Sequence, residues 1–362
     1  MQVLKFGGSS VANAKNINEV IGIVQQSTKK NNNIVIILSA LGGVTDALLE
    51  VATLASNTDI SYKEKLHDIE HRHLTTVKEL IPIDQQSSVL SMVKKTFNNI
   101  EDTCNGVYLL KELSLRTKDS IISNGEILSS QIFAGKLRSL DIENTWKDTR
   151  ELIITDSQFG SATVDFITTN KNIQSFFFSL QSLICVIPGF IASDKNGNTT
   201  TLGRGGSDYT AAIIAAALNV SSVEIWTDVS GMMTADPRLV TNAKIIEKIS
   251  YQEAMELSHF GAKVIYPPTI QPVMNKRIPV WIKNTFAPQD PGTLIENTTS
   301  KDGGNIRGIS SINKLALLSL EGSGMIGIPG VSKRLFEALS YEKLNVVLIT
   351  QSSSDHSYFV CI

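Results

Sequence analysis

The feature that most constrains the fold is a run of five apolar residues, Ile34–Leu38, which follows a stretch with helical periodicity. Apolar residues that run continuously, without alternation, indicate a strand buried on both faces, as in a parallel sheet covered by helices. In the preceding stretch, residues 14–28, Ile17, Ile21 and Val24 are spaced by four and three, as on one face of a helix. This combination predicts an α/β architecture.

The same alternation continues through the first three-quarters of the chain. Further strands are predicted at residues 3–6, 152–155, 184–187, 223–227 and 280–282, and helices at 125–140, 208–218 and 251–264. Ser250 and Glu253 form a Ser-x-x-Glu capping box before the last of these helices. We therefore predict a mainly parallel sheet sandwiched by helices, with ligands beyond the carboxyl ends of the strands.

Two segments interrupt this alternation and indicate the domain organisation. Residues 46–118 have helical patterns and little strand pattern, which predicts a helical insertion in a catalytic domain of residues 1–300. A polar, glycine-containing linker begins at 301. Residues 301–362 then read as β-α-β-β, without a second helix and closing strand, so we expect an incomplete α+β domain.

Charge and cysteine content exclude several classes of function. Lys and Arg number 33 against 35 Asp and Glu, so no broad nucleic-acid-binding surface is expected. No apolar run approaches the roughly 18 residues of a membrane helix, and Lys5 follows Met1 too closely for a signal peptide. The three cysteines lie far apart, which argues against a disulfide framework and for a reducing, cytoplasmic location.

Lys5, Gly7, Gly8 and Ser9 form the first candidate site, at the end of the first predicted strand. Paired glycines let backbone N–H groups approach an anion closely, and a following helix N-terminus and the lysine add positive charge. A tight turn with a solvated lysine is the alternative. The spacing differs from that of a Walker loop.

The second candidate is the segment 201–208, in which three glycines surround Arg204. An arginine can grip a carboxylate with two parallel hydrogen bonds, which fixes its orientation. Ser207 and Asp208 stand where helix caps belong, and capping is their alternative role. A cap alone requires neither the arginine nor three glycines, so anion binding is favoured.

The third candidate follows the strand 223–227, where Asp228 is placed to meet a ribose or base and Arg238 to meet phosphates. Pro237 is expected to be structural.

A rival motif, His-x-x-Glu-His at residues 67–71, matches a zinc protease signature. Its two histidines fall on the solvated side of the predicted helix, so we do not expect a catalytic zinc or any other metal held by the protein alone.

Together these segments resemble the aspartokinases of the amino-acid-kinase family over essentially the whole chain. The resemblance is carried by residues 5–10, 123–126, 203–208, 226–238, 260–264 and 282–285. The wording of residues 251–257 is most similar to the kinase half of bifunctional aspartokinase–homoserine dehydrogenases. From residue 314 onward the chain resembles an incomplete ACT domain, an amino-acid-sensing module.

The resemblance implies phosphorylation of the side-chain carboxylate of L-aspartate by MgATP, the first step of lysine, threonine and methionine biosynthesis. The catalytic residues it implies are Lys5, Gly7, Gly8 and Asp208. The substrate-binding residues are Thr45, Glu126, Phe190, Arg204 and Ser207. The nucleotide-binding residues are Lys5, Gly7, Gly8, Ser9, Thr227, Asp228, Arg238 and Lys263. Mg²⁺ is expected to bind through ATP oxygens and water. A homo-oligomer, and no membrane or nucleic-acid partner, are also expected.

The chain departs from the family pattern at two places. Met233 replaces a common tyrosine, and residues 266–269 read Tyr-Pro-Pro-Thr where the family usually has His-Pro-Arg-Thr. Two alternatives therefore stay open. One is a related kinase that acts on another amino acid, and the other is an amino-acid-binding regulatory protein with little turnover.

Overall fold

The computed structural model describes residues 1–30, 33–259, 265–298, 306–313, 315–322, 328–351 and 357–362. The linker predicted at 301–306, apart from Ile306, and the end of the helix predicted at 251–264 lie outside these residues. The chain divides into two units, Met1–Ser310 and Ser311–Ile362.

The first unit contains both strands and helices. Its strands are β1 (Gln2–Phe6), β2 (Ile34–Leu38), β3 (Thr145–Trp146), β4 (Ile154–Thr155), β5 (Ile184–Pro188), β6 (Ile191–Asp194), β7 (Thr199–Thr201), β8 (Ser222–Thr227), β9 (Lys248–Ser250), β10 (Val280–Asn284) and β11 (Thr293–Glu296). Its helices are α1 (Ala14–Lys30), α2 (Val44–Ser56), α3 (Tyr62–Leu80), α4 (Ser87–Leu110), α5 (Leu115–Ile122), α6 (Asn124–Ser139), α7 (Phe166–Ser179), α8 (Gly206–Leu218), α9 (Tyr251–His259) and α10 (Gln271–Lys276).

Eight strands form one sheet in the order β3-β5-β2-β1-β8-β10-β11-β9. All neighbouring pairs are parallel except β10 with β11. The predicted mainly parallel sheet is confirmed. Strand β1 lies between β2 and β8, with Lys5 opposite Ile37 and Ile225.

Both faces of this sheet are covered, which explains the continuous apolar strands. Every residue of β1 and β2 is buried. Side chains such as Leu4 and Ile36 pack with buried residues of α1 to α6 on one face. Val3 and Ile37 pack with residues of α7 to α10 on the other. The helices predicted in the insertion are present as α2 to α5.

Two local predictions concern the start of α9 and the histidines of α3. The capping box before α9 is confirmed, because Glu253 accepts from the Ser250 N–H at 2.9 Å and its own N–H donates to Ser250 Oγ at 3.2 Å. His67 and His71 are exposed, as expected, and His73 is buried against Phe97. None of the helices in the described ranges is long and apolar enough to cross a membrane.

A second sheet, β4-β6-β7, was not predicted apart from β4, which is shorter than expected. It is small: β4 pairs with β6, and β6 forms an antiparallel hairpin with β7. The hairpin matters for function because the chain leaves β7 at Thr201 directly into the glycine-rich segment.

The smaller unit consists of β12 (Leu317–Glu321), α11 (Val331–Tyr341), β13 (Leu348–Gln351) and β14 (Ser357–Cys361). Its strands form an antiparallel sheet in the order β12-β14-β13. The predicted β-α-β-β order is confirmed.

Candidate active site

A cavity of about 250 Å³ lies beyond the carboxyl ends of β1 and β2. Its walls combine residues from both strand ends with residues from helix N-termini and from the loops after β5 and β7. The lining residues are Lys5, Ser39, Thr45, Glu126, Phe190, Gly203, Gly205, Gly206, Ser207 and Asp208. Six residues that the sequence analysis associated with aspartate binding or catalysis therefore meet in one place.

Three helices begin at this cavity. Thr45 is in the first turn of α2, Glu126 in that of α6, and Ser207 in that of α8. Free N–H groups and the helix dipole make such N-termini favourable for anions. The cavity is therefore suited to a ligand with several negative groups.

Lys5 and Asp208 form an ion pair in the cavity wall, with Nζ and Oδ1 2.6 Å apart. Their side chains are only 10% and 13% exposed. Lys5 points to the side of the sheet that α8 covers, as Ile37 and Ile225 beside it do. The pair thus connects the central strand to the first turn of α8.

Glu126 contributes a buried carboxyl group to the same cavity. It is 4% exposed, and no hydrogen-bond partner is found for its Oε2 in the part of the chain that the structure describes. Burial raises the pKa of this carboxyl to about 8, although hydrogen bonds from the Ala40 N–H and Thr45 and the charge of Lys5 act in the opposite direction. A cationic group in the cavity would favour its ionised form.

The glycine-rich segment depends on left-handed backbone at Gly203 (φ 72°) and Gly205 (φ 67°), which other residues adopt only with strain. Phe190 has a similar φ of 70°. Its N–H donates to Thr210 Oγ1 at 3.0 Å, and that hydroxyl donates to the Gly206 carbonyl at 3.0 Å. Thr210 thus connects the two loops that line the cavity.

Arg204 lies between two lining glycines, but its side chain is exposed. No ion pair of Arg204 is found among the described residues. Arg204 itself does not line the cavity in this structure.

The turn after β1 uses its two glycines differently. The Gly7 N–H donates to the Trp226 carbonyl at 3.0 Å and so is already engaged. In the described parts of the chain, no acceptor is found for the N–H groups of Gly8 and Ser9, which precede and begin a short 3-10 helix. Ser10 Oγ lies 2.7 Å from Thr285 Oγ1, which ties this turn to the end of β10.

Thr227 and Asp228 lie at the end of β8, next to β1. Thr227 Oγ1 donates to Asp228 Oδ1 at 3.1 Å, and Asp228 is exposed. Arg238 is 85% exposed and pairs with Asp236 in its own turn at 2.7 Å. Its guanidinium hydrogen bonds lower the pKa of Asp236. Lys263 lies outside the described residues.

Ser39 is the lining residue that sequence reasoning missed. Its N–H donates to the Phe6 carbonyl at 3.2 Å, which extends the pairing of β1 and β2 by one residue. The signal was available, because Ser39 directly follows a buried strand of a parallel sheet, where ligands gather.

Residues 1–284 match the Amino acid kinase family. The chain belongs to that family. Residues 318–362 match an ACT domain, which agrees with the resemblance seen in the sequence.

Solved and curated relatives of this amino acid kinase point to aspartokinases. The crystal structure of E. coli aspartokinase III in complex with aspartate and ADP matches with a TM-score of 0.84 and 32% identity, over 100% of this chain and 78% of that chain. The bifunctional aspartokinase/homoserine dehydrogenase of Buchnera aphidicola is 36% identical over 370 residues, covering 100% of this chain. The chloroplastic bifunctional enzyme 1 of Arabidopsis thaliana is 34% identical over 361 residues, covering 98%. The chain spans 44% and 39% of the lengths of these two relatives.

Glu126→Gln should change how the stability of the empty kinase depends on pH. The native pKa of about 8 lies above the reference value of 4.5, so the native state holds a proton that the unfolded state loses as the pH rises between these values. The wild type should lose stability over this range, by at most about 1.4 kcal/mol per pH unit. From pH 5 to pH 8, the free energy of unfolding of the glutamine variant, measured in urea, should therefore rise relative to that of the wild type.

Glu112→Gln, at an exposed position, serves as the matched control and should follow the wild type. A Glu126→Gln variant whose stability tracks the wild type at both pH values would show that this carboxyl is ionised in the empty site.

Proposed function

We propose that the chain is an aspartate kinase, which transfers the terminal phosphoryl group of ATP to the side-chain carboxylate of L-aspartate. The products are ADP and 4-phospho-L-aspartate. The observation that carries this proposal is one cavity that holds the Lys5–Asp208 ion pair and the buried Glu126 Oε2, for which the described residues offer no hydrogen-bond partner. Such a cavity suits an amino acid, which presents both a carboxylate and an ammonium group. The relative with aspartate and ADP in its crystal structure supports the same assignment.

The reaction requires charge neutralisation more than acid–base chemistry. The acceptor is already an anionic carboxylate, so no general base has to generate a nucleophile. The protein has to align two anions that repel each other and to neutralise the charge on the transferred phosphoryl group. Lys5 supplies that charge, assisted by the N–H groups of Gly8 and Ser9, which have no acceptor among the described residues. Asp208 holds the Lys5 ammonium in place.

The amino acid is oriented from the opposite wall. Glu126 pairs with the α-ammonium and becomes ionised when it does so. Arg204 binds the α-carboxylate from the cavity mouth, and a planar guanidinium is suited to hold it with two hydrogen bonds. Thr45, Phe190 and Ser207 shape the space between them.

The nucleotide lies along the ends of β1 and β8, where Thr227 and Asp228 are exposed enough to contact it. We also assign Arg238 and Lys263 to the binding of the nucleotide. Arg238 would have to break its ion pair with Asp236 to bind a phosphate. Gly7 contributes a turn without a side chain and not a hydrogen bond to the phosphates, because its N–H already donates to the Trp226 carbonyl. Mg²⁺ would bind the phosphate oxygens and water, which suits a hard, hydrated cation. Among the described residues, no group of three or more His, Cys, Asp or Glu could hold a metal ion.

The proposal also includes a biosynthetic pathway, an oligomeric state and a neighbouring activity. The activity would be the first step towards lysine, threonine and methionine, in a homo-oligomer of two or more chains. The similarity to bifunctional relatives supports a kinase that acts next to a homoserine dehydrogenase.

Incubation with MgATP, L-aspartate and hydroxylamine should yield aspartyl hydroxamate, because hydroxylamine traps the acyl phosphate. Lys5→Met should lower kcat by about 10²–10³, the usual loss when one donor that stabilises developing charge is removed. L-Glutamate and N-acetyl-L-glutamate are the acceptors to compare. ATP hydrolysis without hydroxamate, or preference for another acceptor, would contradict an aspartate kinase.

Two controls make the Lys5 result interpretable. Lys63→Met, at an exposed position, should retain full activity. Lys5→Met/Asp208→Asn removes the carboxylate that the single variant leaves buried without its cation, which itself destabilises. If the double variant is stable but still slow, the loss is due to the missing ammonium.

Arg204→Ala should chiefly raise the KM for aspartate, because Arg204 is assigned to a group that does not react. The KM for ATP should change less than about twofold. Arg204→Lys should be intermediate, since an ammonium keeps the charge but not the paired hydrogen bonds. Steady-state kinetics with each substrate varied in turn measures this. An unchanged aspartate KM in the alanine variant would remove Arg204 from the substrate site.

A further inference from the structure

Asp119 is a buried carboxylate that the proposed mechanism does not use. It lies on α5 with no exposed surface and does not line the cavity. Its Oδ2 accepts hydrogen bonds from the N–H groups of Gly160 at 2.8 Å and Thr201 at 3.0 Å. Its Oδ1 accepts from the Thr201 hydroxyl at 3.0 Å. One carboxylate therefore binds two segments that are distant from it in sequence.

This arrangement is unfavourable for stability alone. No lysine, arginine or histidine forms an ion pair with Asp119 within the described residues. Burial raises the pKa of the carboxyl, although the hydrogen bonds from Gly160 and Thr201 and the charge of Lys118 act in the opposite direction. A buried carboxyl group that forms no ion pair in the described part of the chain needs an explanation, and the positions of its partners provide one.

Gly160 and Thr201, the two residues that Asp119 binds, both adjoin the glycine-rich segment that forms one wall of the cavity. Thr201 is the last residue of β7, so the Asp119 bonds fix the point from which the segment 203–208 starts. Gly160 lies against the same segment: a Cβ added at Gly203 would be 3.4 Å from the Gly160 carbonyl oxygen and 3.1 Å from Ser161 Oγ. Ala162 N–H also donates to the Thr201 carbonyl at 2.9 Å.

The other end of the connection is the wall that carries Glu126. The Asp119 carbonyl accepts from the Ser123 N–H at 3.1 Å, and α6 begins at the next residue, Asn124. Glu126 is in the first turn of α6. Asp119 thus joins the backbone that presents Glu126 to the backbone that presents Gly203, Gly205 and Ser207.

We propose that Asp119 is a positioning residue for the amino-acid pocket, which sets the spacing between Glu126 on one wall and the Arg204–Ser207 segment on the other. This role rests on the proposed function, because it assigns those two walls to the ends of the same substrate. Displacements of about 1 Å in such a pocket can change rates or binding by up to about 100-fold.

Asp119→Asn is the primary test, because it keeps the size of the side chain but turns one acceptor into a donor that faces other donors. In the full 362-residue chain, the aspartate KM should rise at least about tenfold. The ATP KM and kcat should stay within about twofold. A role in folding alone would lower the melting temperature or the active fraction without this separation of the two KM values. Asp102→Asn, on the exposed surface of α4, is the matched control.

Thr201 provides a second test that does not depend on the charge. Thr201→Val removes only the hydroxyl donor to Asp119 and should raise the aspartate KM, and Thr201→Ser should restore it. In the Asp119→Asn background, Thr201→Val should have little further effect, since the Thr201 hydroxyl acts through its hydrogen bond to Asp119.

The outcomes separate this role from the function on which it rests. If the unsubstituted chain forms no aspartyl hydroxamate, the proposed function fails and this role fails with it. If the unsubstituted chain is active and Asp119→Asn has a normal aspartate KM, only the positioning role is overturned. If Asp119→Asn does not fold, a normal aspartate KM in Thr201→Val overturns it equally.

Discussion

The ion pair between Lys5 and Asp208 is the interaction on which the rest of the site depends. Lys5 belongs to the central strand, and Asp208 to the first turn of the helix that covers it. With both side chains nearly buried, the attraction is stronger than that of a surface pair in water. It holds the N-terminus of α8, and with it the segment 203–208, against the carboxyl edge of the sheet. A cavity with a charged wall results.

The same cavity is surrounded by groups that a protein selected for stability alone would avoid. Glu126 has a buried oxygen that no described residue hydrogen-bonds, Asp119 is a buried carboxyl group, and Phe190 has a left-handed backbone. Burial raises the pKa of both carboxyls. Such exceptions to the usual rules of folding concentrate at functional sites. Here each of them lies in, or connects to, the wall of one cavity.

Much of the fold could be predicted because the central strands carry apolar residues on both faces, continuously so in β2. The buried strands β1, β2, β5, β8 and β10 and the helices α1, α6, α8 and α9 follow from such patterns, whereas α7 and α10 were not predicted. The hairpin β6–β7 was missed because its strands are short and Thr199–Thr201 carries no apolar residue. β3 was missed because it has two residues, too few for a pattern to appear, and β4, predicted at 152–155, also has only two.

The cavity could be predicted in part from motifs that encode backbone geometry, since Lys5 and most of the segment 203–208 line it. The parts of the site that depend on contacts between residues far apart in sequence could not be predicted. Asp119 meets Thr201 82 positions later, and nothing in the local sequence of α5 indicates that contact. Gly7 was expected to offer its N–H to a phosphate, but the register of β1 against β8 places the Trp226 carbonyl there instead.

A crystal structure of the chain with L-aspartate and a non-hydrolysable ATP analogue tests the central claim most directly. We expect a terminal phosphate oxygen within about 3 Å of Lys5 Nζ, which is hydrogen-bond distance. The aspartate side-chain carboxylate should face the same phosphorus. A nucleotide bound with its terminal phosphate beyond reach of Lys5 and of the Gly8 and Ser9 N–H groups would contradict the account.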